Sequence, residues 1–290
     1  MKDDVERVIL LTNVAVNIPL ALTSVIGNSM VLHAIRKTPS LRSPLTFLIC
    51  GLALSDLAVG TLVQPFFIAD ILVQLYVQSQ GFKHTFRRCY NTVGFYLCGV
   101  SLCTIACISI DRLIAVQKPL RYPSIVTKYR ISRLLLAIWS ISLLLASSQF
   151  WEERLLFASI ASVVSISLSV SIISHVKMYK IVRRHQAEIG VQLQAVENSL
   201  TIINMKSLHK SAFNAFIVFV VLFVCYFPYL VVYIVTSGSR NNSATVARSL
   251  SSTVVFTNSA LNPIVYCWRL RKIRKVVVQI IYDMCRVIKR

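Results

Sequence analysis

The hydrophobic positions of the chain fall into seven long runs, which are separated by short polar stretches. A helix needs about 20 mainly apolar residues to cross the roughly 30 Å hydrocarbon core of a membrane, and each run is long enough. The pattern therefore predicts an all-α fold with seven transmembrane helices. The predicted spans are Val8–Ile35, Pro44–Ala69, Cys89–Val116, Ile131–Phe150, Leu155–Met178, Ser211–Thr236 and Thr245–Trp268.

The stretch after Trp268 has a different pattern. Its apolar residues have helical spacing opposite a basic face, which is typical of an amphipathic helix on the anionic lipid of an inner leaflet. These residues are Ile273, Val276, Val277, Ile280 and Ile281. We therefore expect a seven-span domain in residues 1–268 and an amphipathic helix with a short tail in residues 269–290.

Composition and charge agree with a membrane protein. Hydrophobic residues make up 56% of the chain, charged residues 14%, and the net charge is +20, whereas soluble domains carry roughly 25% charged residues. Most of the 31 Lys and Arg residues follow the first, third and fifth spans or lie in the tail. Such loops are usually cytoplasmic, so we expect the N-terminus outside and the C-terminus inside. No nucleic-acid partner is expected, because the basic residues do not cover a polar domain surface.

Several polar residues lie within the predicted spans, where they are costly and usually functional. Asn28 and Asp56 lie in the first and second spans, and Asn258, Ser259 and Asn262 lie in the last. Two interpretations are open. The residues form either a hydrogen-bond cluster that only holds helices together or a site for water and a small cation.

Two further features lie near the inner ends of the spans. The adjacent Asp111 and Arg112 are either a charged pair that snorkels to the membrane surface or a latch in which Asp111 holds Arg112. Pro228 and Pro263 each remove a backbone hydrogen bond and kink a helix. Each kink is either merely tolerated or a pivot for movement.

Taken in order, the motifs of the chain resemble those of rhodopsin-like (class A) G-protein-coupled receptors from about Val8 to Cys285. The resemblance implies a plasma-membrane receptor that binds an extracellular ligand and activates a heterotrimeric G protein through outward movement of the sixth helix. It implies no enzymatic activity. The matching motifs are GN at Asn28, LALSDL at Asp56, the Asp111–Arg112 pair, Trp139, MYKIV at Tyr179, CYFP ending at Pro228 and NPIVY from Asn262 to Tyr266.

The resemblance also implies roles for individual residues. The positions that match the family's allosteric sodium site are Asp56, Ser101, Asn258, Ser259 and Asn262, and no other cofactor is implied. The positions that match the activation switch and the G-protein contact are Asp111, Arg112, Leu120, Tyr179, Pro228, Asn262, Pro263 and Tyr266. Cys285 is either a palmitoylation site or an ordinary cytosolic thiol.

The ligand pocket implied by the resemblance is aromatic and mostly neutral. Its residues are Phe66, Gly94, Cys98, Tyr226, Tyr229, Tyr233 and Phe256. Gly94 stands where receptors for amines carry an Asp, so the match disfavours a cationic amine. The basic residues at the rim indicate either an anionic or lipid-like ligand or plain solvated loop charges. They are Lys83, His84, Arg87 and Arg88. The neighbouring Asp70 has no second acid beside it with which to form an acidic cluster.

Some positions depart from the usual pattern of the family. Tyr226 replaces a Trp, and Cys89 has no partner, because the loop of residues 149–154 contains no cysteine. The absent disulfide, the short loop and a fifth helix without proline resemble melanocortin receptors and, more broadly, adenosine receptors and invertebrate receptors of this general type. Asn241 lies in an Asn-Asn-Ser sequon, so glycosylation is a hypothesis.

Two other classes of protein stay as alternatives. The first is a receptor-like protein that does not signal and acts by forming dimers with other receptors. The second is a transporter or channel subunit, although the two halves of the chain lack the internal repeat that is common in transporters. An enzyme is disfavoured, because no nucleophile–base pair or metal-binding motif is visible.

Overall fold

The computed structural model describes residues 2–39, 43–192, 220–236, 242–269 and 271–288. The regular structure of these residues is entirely helical, which confirms the all-α prediction. The long helices are α1 (Lys2–Lys37), α2 (Pro44–Tyr76), α3 (Gln80–Gln117), α4 (Lys128–Ser147), α5 (Glu153–Gln192), α6 (Val220–Val235), α7 (Asn242–Arg269) and α8 (Arg271–Ile288).

Three shorter features interrupt or join these helices. A π-helical turn at Val59–Val63 lies within α2, a single turn at Tyr122–Ile125 joins α3 to α4, and a 3-10 turn at Ser148–Phe150 ends α4. The connection from α4 to α5 is therefore a tight turn, as the short polar interruption in the sequence predicts.

The helices extend beyond several of the predicted spans. The third helix, for example, begins at Gln80 rather than Cys89, because Ser79 caps it and accepts a hydrogen bond from the amide of Phe82 at 3.4 Å. Ser43 and Thr127 cap α2 and α4 in the same way. An N-cap satisfies backbone donors whatever the hydropathy of the first turn, so a helix can continue past the apolar run that predicts it.

The lengths and outer surfaces of the helices are those of a multi-pass membrane protein. Among the described residues, α1 to α5 are long and apolar enough to cross a membrane, and Val220–Val235 is a shorter apolar helix. Large apolar side chains such as Leu22, Leu136 and Ile166 are 57%, 69% and 63% exposed. Hydrocarbon is the medium in which such exposure costs no hydrophobic free energy.

The third helix, α3, is the centre of the bundle. It packs against α2, α4 and α5, while α1 packs against α2 and α7. The fully buried side chains of the main core include Leu48, Leu102, Ile105 and Leu222. This core fixes the positions of the polar side chains that α2, α3 and α7 carry inward.

Helices α1 and α7 approach closely at Gly27. A Cβ atom on this glycine would lie 2.8 Å from Cγ of Pro263, which is closer than the Cβ atoms of real proteins approach other atoms. The proline ring is rigid and cannot rotate out of the contact. Gly60 has a similar role where α2 meets α1, since its Cβ would lie 3.1 Å from Cβ of Ser24. The Gly27 of the GN motif is thus required by packing, a point that the motif by itself does not reveal.

The eighth helix confirms the predicted helical pattern of the tail. Ile273 and Val277 are buried against the bundle, where α8 packs on α1 and α7. Val278 and Tyr282 are exposed on the other side of the helix. The end of the bundle from which α8 leaves is called the C-terminal face, and the end that holds the start of α1 is called the N-terminal face.

We expect Gly27→Ala to lower the free energy of unfolding by about 1–3 kcal/mol, because the added methyl group overpacks a rigid contact. Thermal unfolding of the purified chain in lipid nanodiscs measures this. Gly81→Ala is the matched control, since a Cβ there meets no atom within 4 Å. Equal stability of the two variants would show that α1 can move away from Pro263 at no cost.

Candidate functional site

A cavity opens among α3, α5, α6 and α7 in the half of the bundle nearer the N-terminal face. It encloses about 630 Å³ of empty space, which includes its opening. Six of the seven predicted ligand-binding residues line it: Gly94, Cys98, Tyr226, Tyr229, Tyr233 and Phe256. The structure thus brings together residues of three helices that lie far apart in the sequence.

Phe66 does not line this cavity, so its predicted place in the pocket is wrong. It is 39% exposed and packs edge-on against Phe86, with the ring centroids 6.1 Å apart. The inward residue is Phe67, which is 2% exposed and lies 5.2 Å from the ring of Phe256. The π turn at Val59–Val63 explains the difference, because its wider turn rotates the side chains of the next helical turns.

Other lining residues are not among those that the sequence predicts. On α3 they include Tyr90, Asn91 and Phe95, and on α7 they include Ser252. Helical spacing could have found Tyr90 and Asn91, since positions four and three before Gly94 share its face. Tyr229 and Tyr233 stack at 5.5 Å, so α6 presents a continuous aromatic wall.

A buried carboxylate lies deeper in the bundle, where α2, α3 and α7 meet. Oδ1 of Asp56 accepts hydrogen bonds from the hydroxyls of Ser101 and Ser259, both at 2.8 Å. Oδ2 accepts one from the amide of Asn262 at 2.6 Å. All four side chains are buried, so the structure joins four of the five predicted sodium-site residues by direct contact.

The remaining polar residues of this region complete the cluster around Asp56. Asn28 donates to the carbonyl oxygens of Ser24 and Ser259 at 2.9 and 3.1 Å, which ties α1 to α7. Asn258 is 1% exposed, and its amide nitrogen has no hydrogen-bond partner among the described residues. A buried donor without a partner is unfavourable, so this region has hydrogen-bonding capacity left for water.

The donor set fits a small hard cation. One carboxylate and two hydroxyl oxygens lie within hydrogen-bond distance of each other, and hard cations prefer such oxygen ligands. The described side chains contain no group of three or more His, Cys, Asp or Glu residues that could hold a metal ion. The chemistry therefore suits a weakly held monovalent ion better than a transition metal.

At the C-terminal face, Asp111 holds Arg112. The carboxylate accepts a hydrogen bond from Nε of Arg112 at 2.9 Å and a shorter one from Nη2. The contact fits both interpretations of this pair, because a snorkelling pair and a latch each place the carboxylate against the guanidinium. Asp111 is 3% exposed and the side chain of Arg112 is 16% exposed, so the guanidinium stays near the surface.

The structure adds Tyr122 to this pair. Its hydroxyl donates to Oδ1 of Asp111 at 2.8 Å and accepts from Nη2 of Arg112 at 3.4 Å. Burial, together with the negative charge of Asp111, raises the pKa of Tyr122 to about 12, so the hydroxyl keeps its proton at neutral pH. The sequence does not predict this role for Tyr122, because the turn that brings it back to α3 is not visible in a helical pattern.

The other predicted switch residues are spread over the C-terminal half of the bundle. Leu120 is 96% exposed and Tyr179 is 62% exposed, whereas Tyr266 is buried. Pro228 lies inside α6 and Pro263 inside α7. In this conformation the structure does not bring Tyr179 and Tyr266 into the Asp111–Arg112–Tyr122 cluster.

Two basic residues of the rim make defined contacts instead of standing in solvent. Arg87 forms an ion pair with Asp70 at 3.2 Å, so this carboxylate faces a basic residue. Lys83 donates to the carbonyl of Gln74 at 2.9 Å, near the end of α2. The sequence could not reveal these pairs, because they join α3 to α2 across the bundle.

Two further cations cap helix ends on the same face. Nη2 of Arg88 donates to the carbonyl of Gln149 at 2.7 Å, in the turn that ends α4. Arg248 on α7 donates to the carbonyl and the hydroxyl of Thr236, which follows α6. The last carbonyls of a helix lack partners and carry partial negative charge. Basic residues therefore donate to carbonyls at the ends of α2, α4 and α6 on the N-terminal face.

None of the cysteines with described side chains forms a disulfide, and Cys89 is exposed. The hydrogen bond from Arg88 to Gln149 joins α3 to the α4–α5 turn. The family resemblance implies that a disulfide usually makes this connection. The predicted glycosylation site Asn241 and the side chain of Cys285, the predicted palmitoylation site, lie outside the part of the chain that the structure describes.

Comparison with known proteins agrees with the motifs. The family model described as the 7 transmembrane receptor (rhodopsin family) matches residues 27–155 and 145–266. The chain is 28% identical to the histamine H2 receptor of Rattus norvegicus, over 91% of this chain and 77% of the relative. It is 25% identical to the octopamine receptor beta-2R of Chilo suppressalis, over 88% of this chain and 75% of the relative.

The predicted likeness to melanocortin and adenosine receptors is not supported, since the similar proteins are histamine and octopamine receptors. That likeness rested on a short loop, a missing disulfide and a missing proline. Each is the loss of a feature, and separate lineages can lose the same feature independently. Similarity along the whole chain is the stronger criterion.

We expect Arg88→Ala to lower the free energy of unfolding by about 1.5–3 kcal/mol, because a hydrogen bond from a charged donor is lost. Arg121→Ala is the control, since its exposed side chain makes no hydrogen bond or ion pair with the described residues. Thermal unfolding with and without a reducing agent should give the same midpoint for the wild type. Equal stability of the two variants would mean that the cap does not hold the α4–α5 turn.

Proposed function

The chain belongs to the rhodopsin family of seven-transmembrane receptors, and we propose that it converts the binding of an extracellular ligand into activation of a heterotrimeric G protein. The family is one of receptors rather than enzymes. In this proposal the chain lies in the plasma membrane, with the N-terminal face outside and the C-terminal face in the cytoplasm. The concentration of Lys and Arg in the loops and tail of the C-terminal face supports that orientation.

The observation that carries the proposal is the cluster of Asp111, Arg112 and Tyr122. Arg112 is held by two partners, but it lies close enough to the surface to be released to a protein that docks there. Leu120, which is 96% exposed, stands in the adjacent turn and offers an apolar anchor for the same partner. A charged donor and an apolar anchor side by side are typical of a protein-binding surface.

We propose that Tyr226 couples the cavity to this surface. It lines the cavity, and Pro228 lies two residues further along α6. A ligand that displaces Tyr226 therefore acts next to the point where the helix lacks a backbone hydrogen bond. We propose that α6 swings outward at this kink and opens the C-terminal face, with Asn262, Pro263, Tyr266 and Tyr179 rearranging around the opening.

The cluster around Asp56 would hold a sodium ion in the inactive state. Asp56, Ser101, Ser259 and Asn262 supply the carboxylate and oxygen ligands, and Asn258 supplies further hydrogen-bonding capacity. A bound cation offsets the cost of a buried carboxylate. Because the ligands come from α2, α3 and α7, any movement of α7 relative to α2 changes the site.

The carboxy-terminal helix α8 supports a cytoplasmic C-terminal face. In the proposed division, residues 1–268 form the receptor domain, and residues 269–290 form a membrane-surface helix with a short tail. The basic residues of α8 would contact anionic lipid of the inner leaflet.

We expect Arg112→Ala to reduce G-protein nucleotide exchange by about tenfold or more, because the charge-assisted hydrogen bonds that Arg112 offers a partner are lost. Tyr122→Phe should raise basal exchange, since Arg112 is then held by Asp111 alone. Exchange is measured for the purified chain in nanodiscs with a panel of G proteins, without ligand and with histamine or octopamine, the amines named in the relatives.

Arg133→Ala is the matched control for Arg112→Ala, because it removes the same charge from α4, where Arg133 packs on Tyr129. If the wild type shows no nucleotide exchange with any G protein, the signalling proposal is contradicted. A receptor-like protein that does not signal is then favoured. Substrate flux through reconstituted vesicles without any exchange would favour a transporter.

A second expectation concerns sodium. At constant ionic strength, replacing potassium by sodium should stabilise the wild type, by about 1.4 kcal/mol when sodium is at roughly tenfold its dissociation constant. Asp56→Asn should abolish the difference between the two ions. Asp70→Asn, which neutralises a carboxylate outside the site, should preserve it. The same midpoint in both salts for the wild type would contradict the sodium site.

A further inference from the structure

We infer that the cavity among α3, α5, α6 and α7 takes an uncharged ligand with an aromatic or apolar body and hydrogen-bonding groups. The inference deepens the proposed function, because it takes this cavity as the ligand site of the receptor. It rests on the groups that line the cavity and on how the charges at its rim are already engaged.

The lining residues that the structure describes include no Asp, Glu, Lys, Arg or His. A protonated amine or a carboxylate that entered would therefore leave water without meeting an opposite charge on the part of the wall that the structure describes. Burying an unpaired charge is costly, and a tyrosine ring attracts a cation only weakly by comparison. The lining therefore favours an uncharged molecule over both kinds of ion.

Asp70, a carboxylate at the N-terminal face, is already engaged and so is not available as a counter-ion. Asp70 accepts hydrogen bonds from Nε and Nη2 of Arg87 at 3.3 and 3.2 Å and one from Gln74 at 3.3 Å. It is 4% exposed. A cationic ligand would have to displace the guanidinium and leave Arg87 without its partner.

The cations of the rim are engaged in the same way. Lys83 and Arg88 donate to carbonyl oxygens in the terminal turns of helices, at 2.9 and 2.7 Å, and Arg248 donates to Thr236. An anionic ligand that recruited any of them would leave carbonyls at a helix end without a donor. Among the described residues, Lys83, Arg88 and Arg248 thus stabilise the ends of helices.

The cavity does offer neutral hydrogen-bonding groups. Tyr226 and Tyr229 each contribute a hydroxyl that can both donate and accept, and Asn91 contributes an amide. The remaining wall is aromatic or aliphatic, with Phe95, Phe256, Ile160, Val163 and Val164. Such a lining matches an apolar body with hydroxyl or carbonyl groups.

Gly94 provides a way to change the charge of the cavity. A Cβ atom there would lie 3.5 Å from Val63 and 3.7 Å from Tyr90, which are ordinary contact distances, so a small side chain fits. Gly94→Asp therefore places a carboxylate on the wall. The substitution should reverse the preference between neutral and cationic molecules.

The test uses three probes that share a phenol body and differ in the group that ends a short side chain: tyrosol carries a neutral hydroxyl, tyramine a cationic ammonium and 4-hydroxyphenylacetate an anionic carboxylate. Equilibrium dialysis against the full chain in nanodiscs measures the dissociation constants, with empty nanodiscs subtracted. We expect the wild type to bind tyrosol at least about tenfold more tightly than either ion. Gly94→Asp should bind tyramine more tightly than tyrosol.

Two further variants locate the binding. Tyr229→Phe keeps the ring and removes a hydroxyl, so it should weaken tyrosol binding several-fold even if Gly94→Asp fails to fold. Phe66→Ala, which alters an aromatic residue outside the cavity, should leave the binding of all three probes unchanged.

The inference is overturned if the wild type binds tyramine or 4-hydroxyphenylacetate as tightly as tyrosol, or if it does not bind tyrosol at its solubility limit. Weaker binding in Phe66→Ala with no change in Tyr229→Phe would also overturn it, because the probe would then bind elsewhere. No G protein takes part in the measurement, so its outcome is separate from that of the exchange assay.

Discussion

Asp56 places a carboxylate at the centre of an apolar bundle, and the packing of three helices depends on how that group is satisfied. Ser101 on α3 and Ser259 and Asn262 on α7 donate to its two oxygens. A buried carboxylate without these donors would be strongly unfavourable, so α2, α3 and α7 must meet at this point. The cavity lies on one side of the cluster, and the Arg112 surface lies on the other.

A related constraint acts at the N-terminal face. Helices α2, α4 and α6 end there, and their last carbonyls need donors. Lys83, Arg88 and Arg248 supply them from α3 and α7. The same contacts hold the wall of the cavity in place and keep the basic residues away from its interior. Stability of the bundle and neutrality of the cavity therefore have one physical origin.

Much of the fold can be predicted from the sequence, because the hydrocarbon core selects for long apolar helices, and polar residues inside them stand out. Asp56 and Asn262 are predictable on this ground, and Ser101 through the family motif. The sequence misplaces Phe66, because a π turn rotates the helix beyond it and no pattern of apolar residues marks such a turn here. Tyr122 and the pair of Arg87 with Asp70 escape prediction because each contact joins two different structural elements, which helical spacing does not predict.

By itself, the sequence determined the class of fold, the spans and the residue types available for a site, since these depend on hydropathy and local spacing. Only the tertiary structure decided which of those residues meet. Whether a basic residue such as Arg88 is a solvated charge or a helix cap depends on a carbonyl 61 positions away in the chain. Such pairings are set by the packing of whole helices, because each helix moves its side chains as one rigid body.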